Sequence, residues 1–227
     1  MKWIQFDEIG STNDYAKDRR GAREDLIITA KRQTGGRGTK GRSFVSREGG
    51  VYLTTLRFYE DFSAKDAFKI MSGAAVAVCE TLRFYGINPM IKWANDIFVD
   101  GKKICGILIE NTLSGGDISS SVVGVGLNVN TTFDRDLVDI ATSMYLASGK
   151  TFSVEEVTEK LIEELVKERT IEEYRAYLGF VGKQVALILG DERVPATILS
   201  VDNEGRLHAL VDGKTRIFSS AEVSLQV

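Results

Sequence analysis

Met90-Ile91-Lys92-Trp93-Ala94-Asn95-Asp96-Ile97-Phe98-Val99-Asp100-Gly101-Lys102-Lys103-Ile104-Cys105-Gly106-Ile107-Leu108-Ile109-Glu110 decides the fold of this chain. Three apolar runs, at 90–93, 97–99 and 104–110, read as short strands, and Asp100-Gly101 between the last two signals a hairpin turn. Upstream, Ala67, Met71, Ala74, Val78, Leu82 and Tyr85 recur at helical spacing within 64–85. The small residues Gly73, Ala74, Ala75 and Ala77 let that helix lie close on a sheet. Gly50 to Phe58 and Leu26 to Ala30 read as further strands, and Ser11 or Thr12 caps a short helix reaching about Arg20. Downstream lies the valine-rich strand Ser121 to Asn130. Ser153 with Glu156 then makes a capping box for a long helix carrying Val157, Leu161 and Leu165 on its apolar face. After Gly179 the pattern changes to short strands near 185–189, 196–201, 207–211 and 215–218, closely spaced and separated by turn residues, as in a small all-β barrel. The expectation is an α+β chain: a mixed β-sheet domain with packed helices over 1–180, and a barrel over 181–227.

Composition narrows the function classes. At 43% apolar and 27% charged the chain has material for a real core, and its net charge of -3 argues against a surface built throughout for nucleic acid. The first residues are charged, and no apolar run approaches the roughly 18 residues of a membrane span. A cytoplasmic protein with no membrane contact is the default. Cys79 and Cys105 lie in apolar surroundings without metal-ligand spacing and read as buried, reduced thiols. His208 is the single histidine and falls in the barrel, which argues against histidine-based nucleophile, zinc and general-base chemistry.

Residues 31–47, KRQTGGRGTKGRSFVSR, carry six cations and four glycines with no acid. Glycines let the backbone approach a ligand and present its N–H groups, so the stretch suits a phosphate or another anion. It is not a Walker A loop, because Gly41 rather than Ser or Thr follows Lys40. A nucleic-acid-binding segment and a plain solvated loop remain open on composition. Lys92 has two readings as well: an edge lysine paired with an acid, or a compact charge facing a pocket. Adenylation of a carboxylate fits such an inventory, since it joins two anions and needs cations, N–H donors and magnesium rather than histidine.

Five segments together resemble the biotin protein ligases. They are Gly10-Ser11-Thr12-Asn13, Gln33-x-x-Gly36-Arg37-Gly38-x-x-Gly41-Arg42, Lys92-Trp93-x-Asn95-Asp96, Lys103-Ile104-Cys105-Gly106-Ile107-Leu108-Ile109-Glu110 and Gly124-Val125-Gly126-Leu127-Asn128. They follow the family's order and cover most of 1–150. The resemblance implies a sheet domain like that of class II aminoacyl-tRNA synthetases with a C-terminal SH3-like barrel, using ATP and Mg2+ to activate biotin. It implies transfer of biotin to the biotin carboxyl carrier domain of a carboxylase, by a monomer or homodimer; lipoate ligases are the nearest alternative enzymes. Ser11, Thr12, Asn13, Gln33, Gly36, Arg37, Gly38, Thr39, Lys92, Gly106, Gly124 and Gly126 correspond to biotin-side positions. Arg37, Lys40, Arg42, Phe44, Lys92, Asn95 and Asn128 correspond to the nucleotide side, with Lys92 and Arg37 as the catalytic pair. Residues 131–143 match a loop that folds over the adenine end. Thr39 stands where the family usually carries a basic residue, Phe44 replaces a tryptophan and Ala94 a proline. The Ser-Thr-Asn segment begins at residue 11, which leaves no room for the helix-turn-helix of longer members and implies no DNA binding.

Overall fold

A computed structural model describes residues 1–134 and 136–226, and the side chains of Lys40, Ser224 and Gln226 lie outside what it describes. In chain order the N-terminal unit contains β1 (Lys2–Ile9), α1 (Thr12–Lys17), β2 (Leu26–Gln33), β3 (Gly50–Phe58), α2 (Ala67–Phe84), β4 (Met90–Lys92), β5 (Asp96–Val99), β6 (Lys102–Ser114), β7 (Asp117–Asn128), α3 (Met144–Ser148), α4 (Val154–Leu165) and α5 (Ile171–Tyr177). The C-terminal unit contains β8 (Gln184–Leu189), β9 (Glu192–Val201), β10 (Leu207–Val211), β11 (Lys214–Phe218) and β12 (Val223–Gln226). The fold is α+β, as the pattern implied, with an SH3-like barrel ordered β11-β10-β9-β8-β12. The strand β1 carries no clear period and was not expected; it adds to β2 in parallel, with Phe6 opposite Ala30.

The main sheet runs β1-β2-β3-β7-β6-β5-β4, and every pair after β1/β2 is antiparallel. Asp100 and Gly101 both take positive φ, 49° and 78°, the conformation a two-residue hairpin requires. One face of the sheet is apolar. Leu53, Val123, Val125, Cys105 and Ile107 bury there against α2, α4 and α5, and the cluster continues into the barrel through Val185, Leu187 and Ile198. Trp93 ties the two units together, its Nε1 donating to the Gly205 carbonyl at 2.9 Å in a buried position. The helix opening at Ser153 has the hydroxyl half of the expected box, Ser153 Oγ accepting from the Glu156 N–H at 3.2 Å. The complete box lies one helix later, between Thr170 and Glu173.

At the C-terminal end of α4, Glu164 is almost fully buried and collects Lys160 at 2.9 Å, Lys167 at 2.7 Å and Arg169. Burial pushes its carboxyl pKa up, but hydrogen bonds from Lys167 and Lys160 outweigh that and hold it below its ordinary value.

Candidate active site

Cross-strand partners share a face of a sheet, so the pairing register lays out the opposite face row by row. One row reads Lys92, Asp96, Gly106, Gly126, Tyr52, Ala30 and Phe6 from β4 to β1. The next reads Leu108, Gly124, Thr54 and Ile28 from β6 to β2. Three bare glycines in the middle of two rows leave a trough with taller side chains on either side. The cleft over this trough is lined by Ser11, Thr12, Asn13, Gln33, Arg37, Gly38, Thr39, Phe44, Asn95, Gly106, Gly124 and Gly126.

The inner end is polar and locked. Gln33 Oε1 accepts from the Thr12 N–H at 2.8 Å and from its hydroxyl at 3.0 Å, while Gln33 Nε2 donates to Ser46 Oγ at 3.0 Å. Thr54 donates to Asn13 Oδ1 at 2.7 Å, and Asn13 Nδ2 donates to Glu110 at 3.2 Å. Ser11 caps α1 by accepting from the Asp14 N–H. A methyl group on Gly124 would stand 2.1 Å from Asn13 Oδ1, so glycine is what lets α1 sit this close to β7.

The basic stretch is a folded hairpin rather than an open loop. Gln33 bridges to Ser46 and Arg37 to Ser43, and the Gly38 N–H donates to the Arg42 carbonyl at 2.7 Å. Gly36 does not line the cleft. A side chain there would meet the Phe44 carbonyl and Ser46 Oγ at 2.5 Å, so Gly36 serves the closure of the hairpin. The Phe44 ring descends into the trough, 2.6 Å from where a Cβ on Gly126 would be, with Tyr52 edge-on to it at 6.4 Å. Burial pushes the Tyr52 phenol up to about 12. Arg37 reaches Asp14 at 3.2 Å from the rim, Arg42 is exposed outside the cleft, and Lys40 lies outside the described side chains.

Lys92 is not among the cleft-lining residues. It occupies the edge strand β4, half-buried with its ammonium 5.0 Å from the Phe98 ring centre. Burial depresses its pKa and Asp96 opposes that depression. A second lysine, Lys103, reaches over the trough: its Nζ lies 2.6 Å from Asp96, which pairs across the strands with Lys92, and 3.1 Å from the position a Gly106 Cβ would occupy. Simple alternation puts residues three apart on opposite faces. A register shift between β5 and β6 pairs Phe98 with Lys103 and Ile97 with Cys105, so Ile104 and Cys105 bury in succession and Lys103 turns toward the cleft with Gly106. The signal available in the sequence was a lysine heading the same motif as that glycine.

Asn95 lines the cleft and is fixed by donating to the Ile107 carbonyl at 2.9 Å. Asn128 does not line it: its buried amide donates to the Thr142 carbonyl at 3.0 Å, which anchors the 131–143 segment. That segment also stitches to β6, with the Lys103 N–H donating to the Ile140 carbonyl and the Thr142 N–H to the Lys103 carbonyl, both at 2.9 Å. Asp134 pairs with Arg47 at 2.7 Å, joining the segment to the end of the basic hairpin. Among the described residues no helix is long and apolar enough to cross a membrane.

A mixed sheet with a glycine-floored trough, a basic hairpin over it and an appended SH3-like barrel defines a ligase class. Residues 6–128, more than half the chain, match the biotin/lipoate A/B protein ligase family, and residues 180–226 match the biotin protein ligase C terminal domain. The chain belongs to the biotin/lipoate A/B protein ligase family. It is 30% identical to the bifunctional ligase/repressor BirA of Bacillus spizizenii over 98% of this chain and 73% of that protein. It is 28% identical to the biotin--[acetyl-CoA-carboxylase] ligase of Mycobacterium tuberculosis, over 97% of this chain and 89% of the relative. Among solved structures, the biotin protein ligase of Aquifex aeolicus in complex with biotin and ATP superposes with a TM-score of 0.83 at 27% identity, covering 99% of this chain and 98% of that one.

Proposed function

We propose that this chain is an ATP-dependent biotin protein ligase. It joins biotin and ATP to biotinyl-5′-AMP and pyrophosphate, then passes the biotinyl group to a lysine amine on the carrier domain of a biotin-dependent carboxylase, releasing AMP. The observation that carries the reading is the near-complete mutual coverage with a ligase whose complex holds biotin and ATP. The match of residues 180–226 to a biotin protein ligase C terminal domain favours biotin over lipoate, and it supports reading the barrel as a unit beginning near residue 180.

In this reading Ser11, Thr12, Asn13 and Gln33 hold the biotin ring at the inner end of the trough, over the bare faces of Gly106, Gly124 and Gly126. Phe44 leaves the trough as biotin enters, a swing that its exposed hairpin permits. Lys92 and Lys103, flanking Asp96 from β4 and β6, offset the charges of the biotin carboxylate and the α-phosphate together with Arg37 from the hairpin. Asp96 keeps Lys103 aimed. Asn95 borders the nucleotide end, and Asn128 acts on that end by holding the 131–143 segment.

The magnesium that accompanies ATP neutralises triphosphate charge when bound. A cytoplasmic setting goes with this activity and with two buried free thiols.

The test is biotin-dependent exchange of pyrophosphate into ATP. Removal of one well-placed electrostatic stabiliser costs roughly 100- to 1000-fold in kcat. Lys92→Met and Lys103→Met should each show that loss. Absence of exchange with biotin, or exchange with lipoate in its place, would sink the reading.

A further inference from the structure

We propose that Lys17 is a positioning residue that ties the trough floor to the basic hairpin through two carboxylates. Its Nζ lies 2.7 Å from Asp14 Oδ1 and 2.9 Å from Glu110 Oε1. Each carboxylate spends its other oxygen on a cleft residue: Glu110 Oε2 accepts from Asn13 Nδ2 at 3.2 Å, and Asp14 Oδ2 meets Arg37 at 3.2 Å. The result is one continuous chain, Asn13–Glu110–Lys17–Asp14–Arg37, running from beside Gly124 to the rim. The motif series assigns nothing to Asp14 or Lys17.

Isolated surface ion pairs contribute little, and this chain differs from them in two respects. The Lys17 side chain is only 23% exposed, and its two acids come from α1 and from β6, 93 residues away. Arg20 adds a bond to the Glu110 carbonyl at 3.1 Å, which holds the strand against the turn after α1. The Asp14 and Glu110 carboxylates keep Lys17 protonated, the Asp14 hydrogen bond being the larger influence and burial opposing it.

The chain has a chemical consequence that rests on the ligase reading. Both reactants are anions, and two carboxylates flanking the cleft, one beside its inner end and one near the rim, would repel them unless neutralised. Lys17 offsets that charge. It also takes one oxygen of each acid, so that Asp14 holds Arg37 by a single oxygen and Glu110 keeps the Asn13 amide in one orientation. Without Lys17, Asp14 is free to take Arg37 with both oxygens, drawing it away from the reactants, and Glu110 loses the partner that aims it at Asn13.

Lys17→Met keeps the stem and removes the charge; Lys17→Arg restores a cation. On the full chain, calorimetric titration with biotin alone should show binding weakened about ten-fold in Lys17→Met. The KM for biotin should rise by a similar factor, the KM for ATP should rise too because Arg37 also serves the α-phosphate, and the melting temperature should stay within about 2 °C. Lys17→Arg should recover to within about three-fold of wild type. Wild-type binding in Lys17→Met, failure of Lys17→Arg to recover, or a loss that follows melting temperature would each overturn the proposal. Wild-type protein that neither binds biotin nor supports exchange overturns the ligase reading and this proposal with it, and that result appears before any substitution is made.

Discussion

Gly124 and Gly126 are two residues apart on one strand and face the same trough, yet the structure predicts opposite costs for the same added methyl. On Gly124 the new Cβ would lie 2.1 Å from Asn13 Oδ1 and 2.9 Å from its Cγ and Nδ2. Asn13 is 6% exposed and held from both sides, by Thr54 and by Glu110, so it has nowhere to retreat. Displacing it breaks two hydrogen bonds at about 0.5–1.5 kcal/mol each and leaves a buried polar group unpaired at about 1–3 kcal/mol. The overlapping terms amount to about 2–4 kcal/mol. At roughly 2–4 °C per kcal/mol for a protein of this size, Gly124→Ala should melt roughly 4–16 °C below wild type. On Gly126 the Cβ would instead lie 2.6 Å from the edge of the Phe44 ring, which belongs to a partly exposed hairpin and can move aside. Gly126→Ala should therefore cost under about 1 kcal/mol in stability. It should nonetheless raise the KM for biotin ten-fold or more, because the methyl stands on the trough floor. Urea denaturation followed by circular dichroism, together with pyrophosphate exchange, measures both quantities. A Gly124→Ala protein that melts with wild type, or a Gly126→Ala protein that is the less stable of the two, would refute the assignment of Asn13 as wedged and Phe44 as mobile.

The acid limb of stability should depend on Glu164. Its folded pKa lies below the ordinary 4.5, so its contribution is complete above that value and is lost as pH falls through the folded pKa. Glu164→Gln should destabilise the protein by about 2–4 kcal/mol at neutral pH, in the lower part of the range for a broken buried pair because Lys167 keeps access to water. The variant should also flatten the decline in stability below pH 4.5, as read by urea denaturation across pH. Thr39 lines the cleft at the position where the motif resemblance implies a basic residue. Two unit charges 4 Å apart at an effective dielectric near 20 interact by about 4 kcal/mol, so even a solvent-weakened Thr39→Arg should slow escape of the adenylate at least about ten-fold. The check is free biotinyl-5′-AMP released over time without acceptor, and an unchanged rate would remove Thr39 from the retention argument.

What the sequence by itself determined was whatever local chemistry settles. The Asp100-Gly101 turn, the strand at 50–58, the helical period of 64–85 and the short strands after 180 all stand because each reflects a turn residue or a repeat within a few positions. The motif series likewise located most of the cleft, since Thr12, Asn13, Gln33 and the three glycines sit where chain order implied. Tertiary structure brought a second lysine to the cleft face of the sheet. Lys92 shares that face with Asp96 and Gly106 by simple cross-strand pairing, whereas only the register shift beside Ile104 turns Lys103 onto it. It also decided that Asn128 spends its amide on Thr142, and that Lys17 finds Glu110 from 93 residues away. Such partners depend on strand order, bulges and helix docking. No short window of sequence contains them.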